Sequence, residues 1–207
     1  ITHKHGDHTG GVRGLKQTWP QAVVYGPASE PIAMLDRQLV EGDVLVLDDI
    51  GARFTVLDVP GHTEGHVAFY GEGSLFCGDT LFAAGCGRVF SGTFDQLSDA
   101  LVMLGQLPPE TRVYCAHEYT LANLGFALWV EPDNSVLLQR NNTDQATRGQ
   151  GQPTLPSTIE LELATNPFMR TNQADVITAA ENWAGHTLPS ERQVFRALRE
   201  WKDKDYD

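Results

Sequence analysis

The chain has 207 residues, enough to bury a real core and to hold one or two domains. Its formal net charge of −12 argues against a phosphate-backbone partner, because binding there depends on Lys and Arg, so nucleic acid is not an expected ligand. No apolar stretch approaches a membrane span, and Cys77, Cys86 and Cys115 make an odd set without metal-type spacing, which fits thiols in a reducing compartment; a cytoplasmic protein with no membrane partner is expected.

The first eight residues, Ile1-Thr2-His3-Lys4-His5-Gly6-Asp7-His8, hold three imidazoles and a carboxylate in six positions. They read as a strand end running into a turn, since Gly10-Gly11 follows and residues 12–19 read as a helix. Alternate residues of an extended chain point the same way, so His3 and His5 can grip one ion, while Asp7 and His8, beyond the bend, can face a second. Borderline-soft divalent metals favour this mixture of donors. Residues 22–25 read as a strand, and residues 44–47 and 54–59 as paired strands around Asp48-Asp49-Ile50-Gly51. The second of these runs into Pro60-Gly61-His62-Thr63-Glu64-Gly65-His66. Residues 67–70 and 75–77 read as a hairpin about Gly71-Glu72-Gly73, and the second strand ends in Gly78-Asp79-Thr80.

Thr93 with Gln96 forms a capping box for a helix through Leu97, Leu101 and Leu104, stopped by Pro108-Pro109. Arg112-Val113-Tyr114 reads as a strand leading into Cys115-Ala116-His117-Glu118-Tyr119. After Thr120 the character turns helical, then polar and rich in Asn and Gln over residues 139–152, where mobility is expected, then helical again. That shift marks a boundary between a domain of residues 1–120 and one of residues 121–207. In the last helix Ser190 and Gln193 can form a capping box; Val194, Leu198 and Trp201 recur at inward-facing spacing. Phe195, Arg199 and Lys202 form the adjacent stripe, which places the two charges at the rim of the buried face.

Taken singly, these histidines are weak evidence. A lone His after a strand is more often a hydrogen-bonded structural residue than a ligand, and Asp79 alone is good turn chemistry. The order changes this: His-x-His-x-Asp-His, then a His, then an Asp, then a His, each at a strand end, where a rigid scaffold displays reactive groups. This succession closely resembles the metallo-β-lactamase superfamily. The resemblance implies an α/β fold, the αββα sandwich of that superfamily, with a C-terminal helical domain that closes one side of the active site. It further implies that His3, His5 and His62 bind one metal, that Asp7, His8 and His117 bind another, and that Asp79 bridges both. An Asp at position 79, where the β-lactamases usually have Cys, is similar to the dinuclear hydrolases. His66 fits the pattern but is normally not a ligand.

The later segments narrow the resemblance. Cys77-Gly78-Asp79-Thr80-Leu81-Phe82 with Gly85-Cys86-Gly87-Arg88-Val89-Phe90, then Asn166-Pro167-Phe168-Met169-Arg170 and Leu198-Arg199-Glu200-Trp201-Lys202-Asp203, resemble glyoxalase II, the hydroxyacylglutathione hydrolases. That family hydrolyses S-D-lactoylglutathione to D-lactate and glutathione, a step of methylglyoxal detoxification. By position, Arg88, Tyr119, Arg199 and Lys202 match residues that hold the glutathione part. Where some members have Tyr, this chain has Phe90, so that hydroxyl contact is absent. Two divalent ions are implied, zinc first, with iron or manganese suited to the same donors. A divalent ion can lower the pKa of bound water from 15.7 to roughly 7, giving a metal-bridging hydroxide that Asp7 would orient. Arg88, Arg199 and Lys202 would offset the repulsion between an acidic protein and an anionic thioester.

From spacing alone, the charges on the last helix read as ordinary solvated surface, and only the family resemblance reverses that reading. Family members also carry further strands ahead of the first motif, so the chain resembles an N-terminally truncated member whose first strands are missing. Poor solubility or weak activity is the expected consequence of the exposed sheet edge. The competing readings are another hydrolase on this fold, a mononuclear iron persulfide dioxygenase, or an inactive truncated metal-binding remnant. The expected oligomeric state is a monomer.

Overall fold

Alternation of apolar and polar residues along short strands builds a six-stranded mixed sheet, which is the scaffold for everything described below. In the computed structural model, which describes residues 1–206, the elements in chain order begin with α1 (Gly6–Thr9), α2 (Val12–Thr18), β1 (Tyr25–Pro27), β2 (Arg37–Leu39), β3 (Val44–Leu47), β4 (Ala52–Asp58), β5 (Val67–Gly71) and β6 (Ser74–Gly78). They continue with β7 (Leu81–Phe82), β8 (Gly85–Cys86), α3 (Phe94–Leu104), β9 (Arg112–Cys115), α4 (Thr120–Val130) and α5 (Ser135–Gly149). The last are β10 (Ser157–Thr158), α6 (Ile159–Thr165), α7 (Ala174–Ala184) and α8 (Glu191–Trp201), which passes into a wider helical turn, Lys202–Tyr206.

The large sheet has the order β10-β9-β6-β5-β4-β3 and is antiparallel except for the β6–β9 pair. A parallel pair needs a crossover, and β7, β8 and α3 supply it. Leu75, Cys77 and Val113 point into the main core, where Leu97, Leu101 and Leu104 of α3 meet Val194, Phe195 and Leu198 of α8. On the opposite face the small parallel pair β1–β2 packs through Tyr25 and Leu39 onto Val56, Val67 and Phe69. Sheet lies on sheet with helices outside, which is the metallo-β-lactamase architecture, and helices dominate after Thr120.

Most local expectations hold. The capping box is complete: Thr93 Oγ1 accepts from Gln96 N and the Gln96 side chain accepts from Thr93 N. The paired strands β3–β4 and the β5–β6 hairpin lie where alternation puts them. Four expectations change. Residues 1–5 form no strand, although Thr2 O accepts from Val67 N at 3.0 Å. The strand read at 22–25 lies at Tyr25–Pro27, paired with a partner too short to show in the sequence. The polar stretch from residue 139 is helical to Gly149, because Asn134 Oδ1 caps α5 by accepting from Val136 N and Leu137 N and because Arg140 is anchored in a buried network. At α8, Ser190 accepts from Gln193 N, but the Gln193 side chain meets the Ser190 hydroxyl instead of its backbone, so the box is half formed.

Candidate metal centre

The ligand-type side chains come from four chain segments that end at one edge of the sheet. The segment before α1 carries His3 and His5, and the first turn of α1 carries Asp7 and His8. The loop between β4 and β5 carries His62, the end of β6 carries Asp79, and the loop after β9 carries His117. They form two groups. His5 Nδ1 lies 3.1 Å from His3 Nε2 and 3.0 Å from His62 Nε2. Asp7 Oδ2 lies 3.5 Å from His8 Nε2 and 3.3 Å from His117 Nε2. Asp79 reaches both groups, with Oδ1 3.1 Å from His8 Nε2 and Oδ2 3.6 Å from both His62 Nε2 and His117 Nε2.

These spacings suit a metal. Two ligand atoms about 2.0–2.1 Å from one tetrahedral ion lie ~3.3 Å apart. Two buried atoms make the same point independently. His8 Nε2 and Asp79 Oδ1 face each other out of line for a hydrogen bond, and neither has another hydrogen-bond partner. Leaving buried polar atoms so is costly unless something joins them. A cation between donors of this kind does so, and the residues present fit divalent metal binding.

The surroundings fix the ligands' orientation. His62 Nδ1–H donates to Arg88 O at 2.7 Å, which leaves the Nε2 lone pair facing the site. His66 accepts from Asp79 N at Nε2, 3.1 Å away, so its proton sits on Nδ1 beside the Thr80 hydroxyl, which donates to Val59 O. His66 therefore holds the backbone of Asp79 and stacks on His3 with ring centres 4.5 Å apart. Charge follows the same layout. Burial, then the neighbouring His8, pushes His3 down to about 3, which keeps it neutral and able to ligate. Burial likewise lowers His62 and His66. The Asp79 carboxylate raises His8; for Asp79 itself burial opposes ionisation, but His8, His62 and His117 together hold it below the usual carboxylate range. Burial raises the Cys77 thiol, and pushes those of Cys86 and Cys115 up to about 11, so none of the three serves as a thiolate nucleophile.

The two groups open into a cavity of about 560 Å³. Its wall includes His5, Asp7, His62, Asp79 and His117 together with Arg88, Tyr119, Arg199 and Lys202. Tyr119 is half exposed and stacks on His117 with centres 4.9 Å apart. Phe90 is 64% exposed and stands edge-on to both His5 and His62 at 5.2 Å. Arg88 sits at the mouth, 3.6 Å from Asp203. The charges on α8 depart from the expected rim position. Arg199 is 1% exposed and Lys202 4%. Arg199 Nη1 donates to Cys86 O at 3.1 Å and Nη2 to Asp203 Oδ1 at 2.8 Å, so partners from other elements draw it inward.

Sequence reading missed the Phe82–Cys86 hairpin and Asn123 as cavity walls. Gly87 is a further constraint: a Cβ there would collide with the Asp79 carbonyl and press on His62 Nδ1. Gly87→Ala should shift Asp79 and His62 together and lower metal content and turnover by about tenfold or more, the scale for disturbing a ligand's support. Elemental analysis of the variant checks it; unchanged metal content would mean that the strand moves without the ligands.

Comparison with known proteins adds the lineage. Residues 1–117 match the family model described as metallo-beta-lactamase superfamily, and residues 118–205 match that described as hydroxyacylglutathione hydrolase C-terminus. The hydroxyacylglutathione hydrolase of Nitrosomonas europaea is 50% identical over 98% of this chain and 77% of its own length. That of Alkalilimnicola ehrlichii is 52% identical over 99% of this chain and 79% of its own length. Among solved structures, ETHE1 from Myxococcus xanthus superposes with a TM-score of 0.60 at 26% identity, covering 95% of this chain and 72% of that one. TTHA1623 in a di-iron-bound form gives 0.53 at 28% identity, covering 81% and 74%. With a catalytic-domain model over its first part, a family-specific C-terminal model over the rest and relatives at about half identity along nearly its whole length, the chain belongs to the hydroxyacylglutathione hydrolase (glyoxalase II) family of the metallo-β-lactamase superfamily.

Proposed function

We propose that the chain hydrolyses S-D-lactoylglutathione to D-lactate and glutathione, with two divalent ions held by His3, His5 and His62, by Asp7, His8 and His117, and by Asp79 between them. The observation that carries this reading is the shared cavity: members of both ligand groups (His5 and His62, Asp7 and His117, with Asp79) and the basic residues Arg88, Arg199 and Lys202 line one space. Bound divalent metal supplies water activated for attack near neutral pH and Lewis-acid pull on the thioester carbonyl. Water adds its oxygen to the carbonyl carbon, the C–S bond breaks, the sulfur leaves as the glutathione thiol and the acid leaves as lactate.

The chain's own groups do the rest. Asp7, exposed on the cavity side of α1, accepts a hydrogen bond from the attacking water and orients it. Arg88 and Lys202 attract the carboxylates of glutathione, and Tyr119 packs its half-exposed ring against the glutathione part. Zinc is the proposed occupant; iron or manganese suits the same donors, and TTHA1623 has been described in a di-iron-bound form. No described helix is long and apolar enough to cross a membrane. The three buried free thiols fit a reducing, cytoplasmic location.

The test is turnover of S-D-lactoylglutathione by purified protein, with thiol and D-lactate released one for one. Chelation should abolish the activity and added zinc should restore it. Asp7→Asn should weaken metal binding and lower kcat by about 100-fold or more, since it loses both a carboxylate ligand and the acceptor that orients the water, with KM little changed. Turnover that survives complete metal removal would sink this reading.

A further inference from the structure

The polar core of the helical part reaches across to the catalytic wall at one point. Glu162 of α6 is fully buried, and its carboxylate accepts four hydrogen bonds. Oε1 takes Ser157 Oγ at 2.5 Å and Arg140 Nη2 at 2.7 Å. Oε2 takes the backbone Ala84 N at 2.8 Å and Asn166 Nδ2 at 2.9 Å. Asn166 Nδ2 also donates to Gly85 O at 2.9 Å, and Asn123 Nδ2 donates to Ala83 O at 3.1 Å. Every one of these bonds to the backbone lands on the tight turn between β7 and β8, in which Ala84 takes a positive φ of 57°.

That hairpin is not a bystander. It leaves the metal edge at Asp79-Thr80, contributes Phe82 and Cys86 to the cavity wall, and returns through Gly87, whose N donates to Thr80 O, to Arg88. Cys86 O is also the acceptor for Arg199. A non-glycine residue at positive φ is strained and persists only where its surroundings hold it. Here the holding groups come from α4 and α6, outside the metal edge.

We propose that Glu162 is a positioning residue for substrate binding: through the Ala84 N–H it clamps the β7–β8 hairpin and so sets the spacing between the metal edge and the Phe82–Arg88 wall that receives glutathione. This rests on the reading of the cavity as a glutathione thioester site. Arg140 balances the buried charge, whereas the acceptor for Ala84 is what positions the wall.

The two roles separate by mutation. Replacing a buried ion pair by apolar residues of similar volume is often tolerated, whereas removing one partner leaves an uncompensated charge. Arg140→Met alone leaves the Glu162 carboxyl to neutralise itself by taking up a proton, at a cost in stability, but keeps Oε2 as the acceptor for Ala84 N; Arg140→Met/Glu162→Met removes the acceptor without stranding a charge. The double variant should raise KM for S-D-lactoylglutathione by roughly tenfold, in the range for lost hydrogen bonds and misplaced binding groups. Its kcat, its metal content and its turnover of a small neutral thioester should stay within about twofold. Arg140→Met should leave that KM unchanged, and amide exchange at Ala84 should quicken in the double variant alone. An equal rise in KM for both variants, an equal loss on both substrates, or unchanged Ala84 exchange overturns the proposal. If the wild-type protein does not hydrolyse S-D-lactoylglutathione, the functional reading fails instead, and the Ala84 exchange rates alone decide whether the clamp exists.

Discussion

Replacing Asp79 by asparagine should reduce bound metal from roughly two ions per chain to about one, and lower kcat by on the order of a thousandfold. Asparagine keeps the shape, so the cause is chemical. The Asp79 carboxylate meets one ligand group at His62 and the other at His8 and His117, at 3.1 to 3.6 Å. An amide offers one neutral oxygen and turns an N–H donor toward one set of imidazole lone pairs. The backbone bond from Asp79 N to His66 is untouched by the change, so the β6 end should stay in place. Elemental analysis with circular dichroism checks this. Full metal content and full turnover in a folded variant would show that the two groups do not share Asp79.

Lys202→Ala and Arg199→Ala should part company, although both residues line the cavity. The Lys202 ammonium lies 5.6 Å from the Tyr206 ring centre, and the residue lines the cavity. Its loss should raise KM for S-D-lactoylglutathione by roughly 10- to 100-fold, equivalent to about 1.5–3 kcal/mol for a charged hydrogen bond. A small neutral thioester should be unaffected. Arg199 ties α8 to Cys86 O and to Asp203 and covers the Phe168 ring at 5.3 Å. Arg199→Ala should therefore depress activity on both substrates and lower the melting temperature, since it removes buried hydrogen bonds as well as charge. Steady-state kinetics on the two thioesters, beside thermal unfolding, separates the outcomes. A pure KM effect in Arg199→Ala would return that residue to a direct role in binding.

The residues at the metal edge were legible because His62, Asp79 and His117 each follow a strand and the remaining four stand together in one short run, an order that survives in the linear sequence although that run forms no strand. The cap at Thr93 and Gln96 was legible for the same local reason. Helix α5 was not. Its buried face consists of Leu137 and Arg140, too little to raise an apolar stripe above its run of Asn, Gln and Thr. Thr143 and Thr147 instead return their hydroxyls to the preceding turn, a pattern that composition does not reveal. The depth of Arg199 was equally hidden, because Cys86 and Phe168 lie far from it in sequence. The Glu162 clamp gave no signal at all: its partners, Ala84, Arg140, Ser157 and Asn166, become neighbours only through tertiary packing.

The spread of the metal edge along the chain also orders events during synthesis. His3 and His5 emerge first and His62 completes their group, but Asp79 and His117 directly follow strands β6 and β9, which must pair in parallel around an intervening crossover. Ribosomes add about 5–20 residues per second. The nascent chain therefore displays an incomplete set of imidazoles for several seconds before the second group exists. The proposed two-ion site is therefore complete only once the β6–β9 pair has closed. An ion captured earlier would meet a three-histidine site lacking the carboxylate that later joins it to its neighbour.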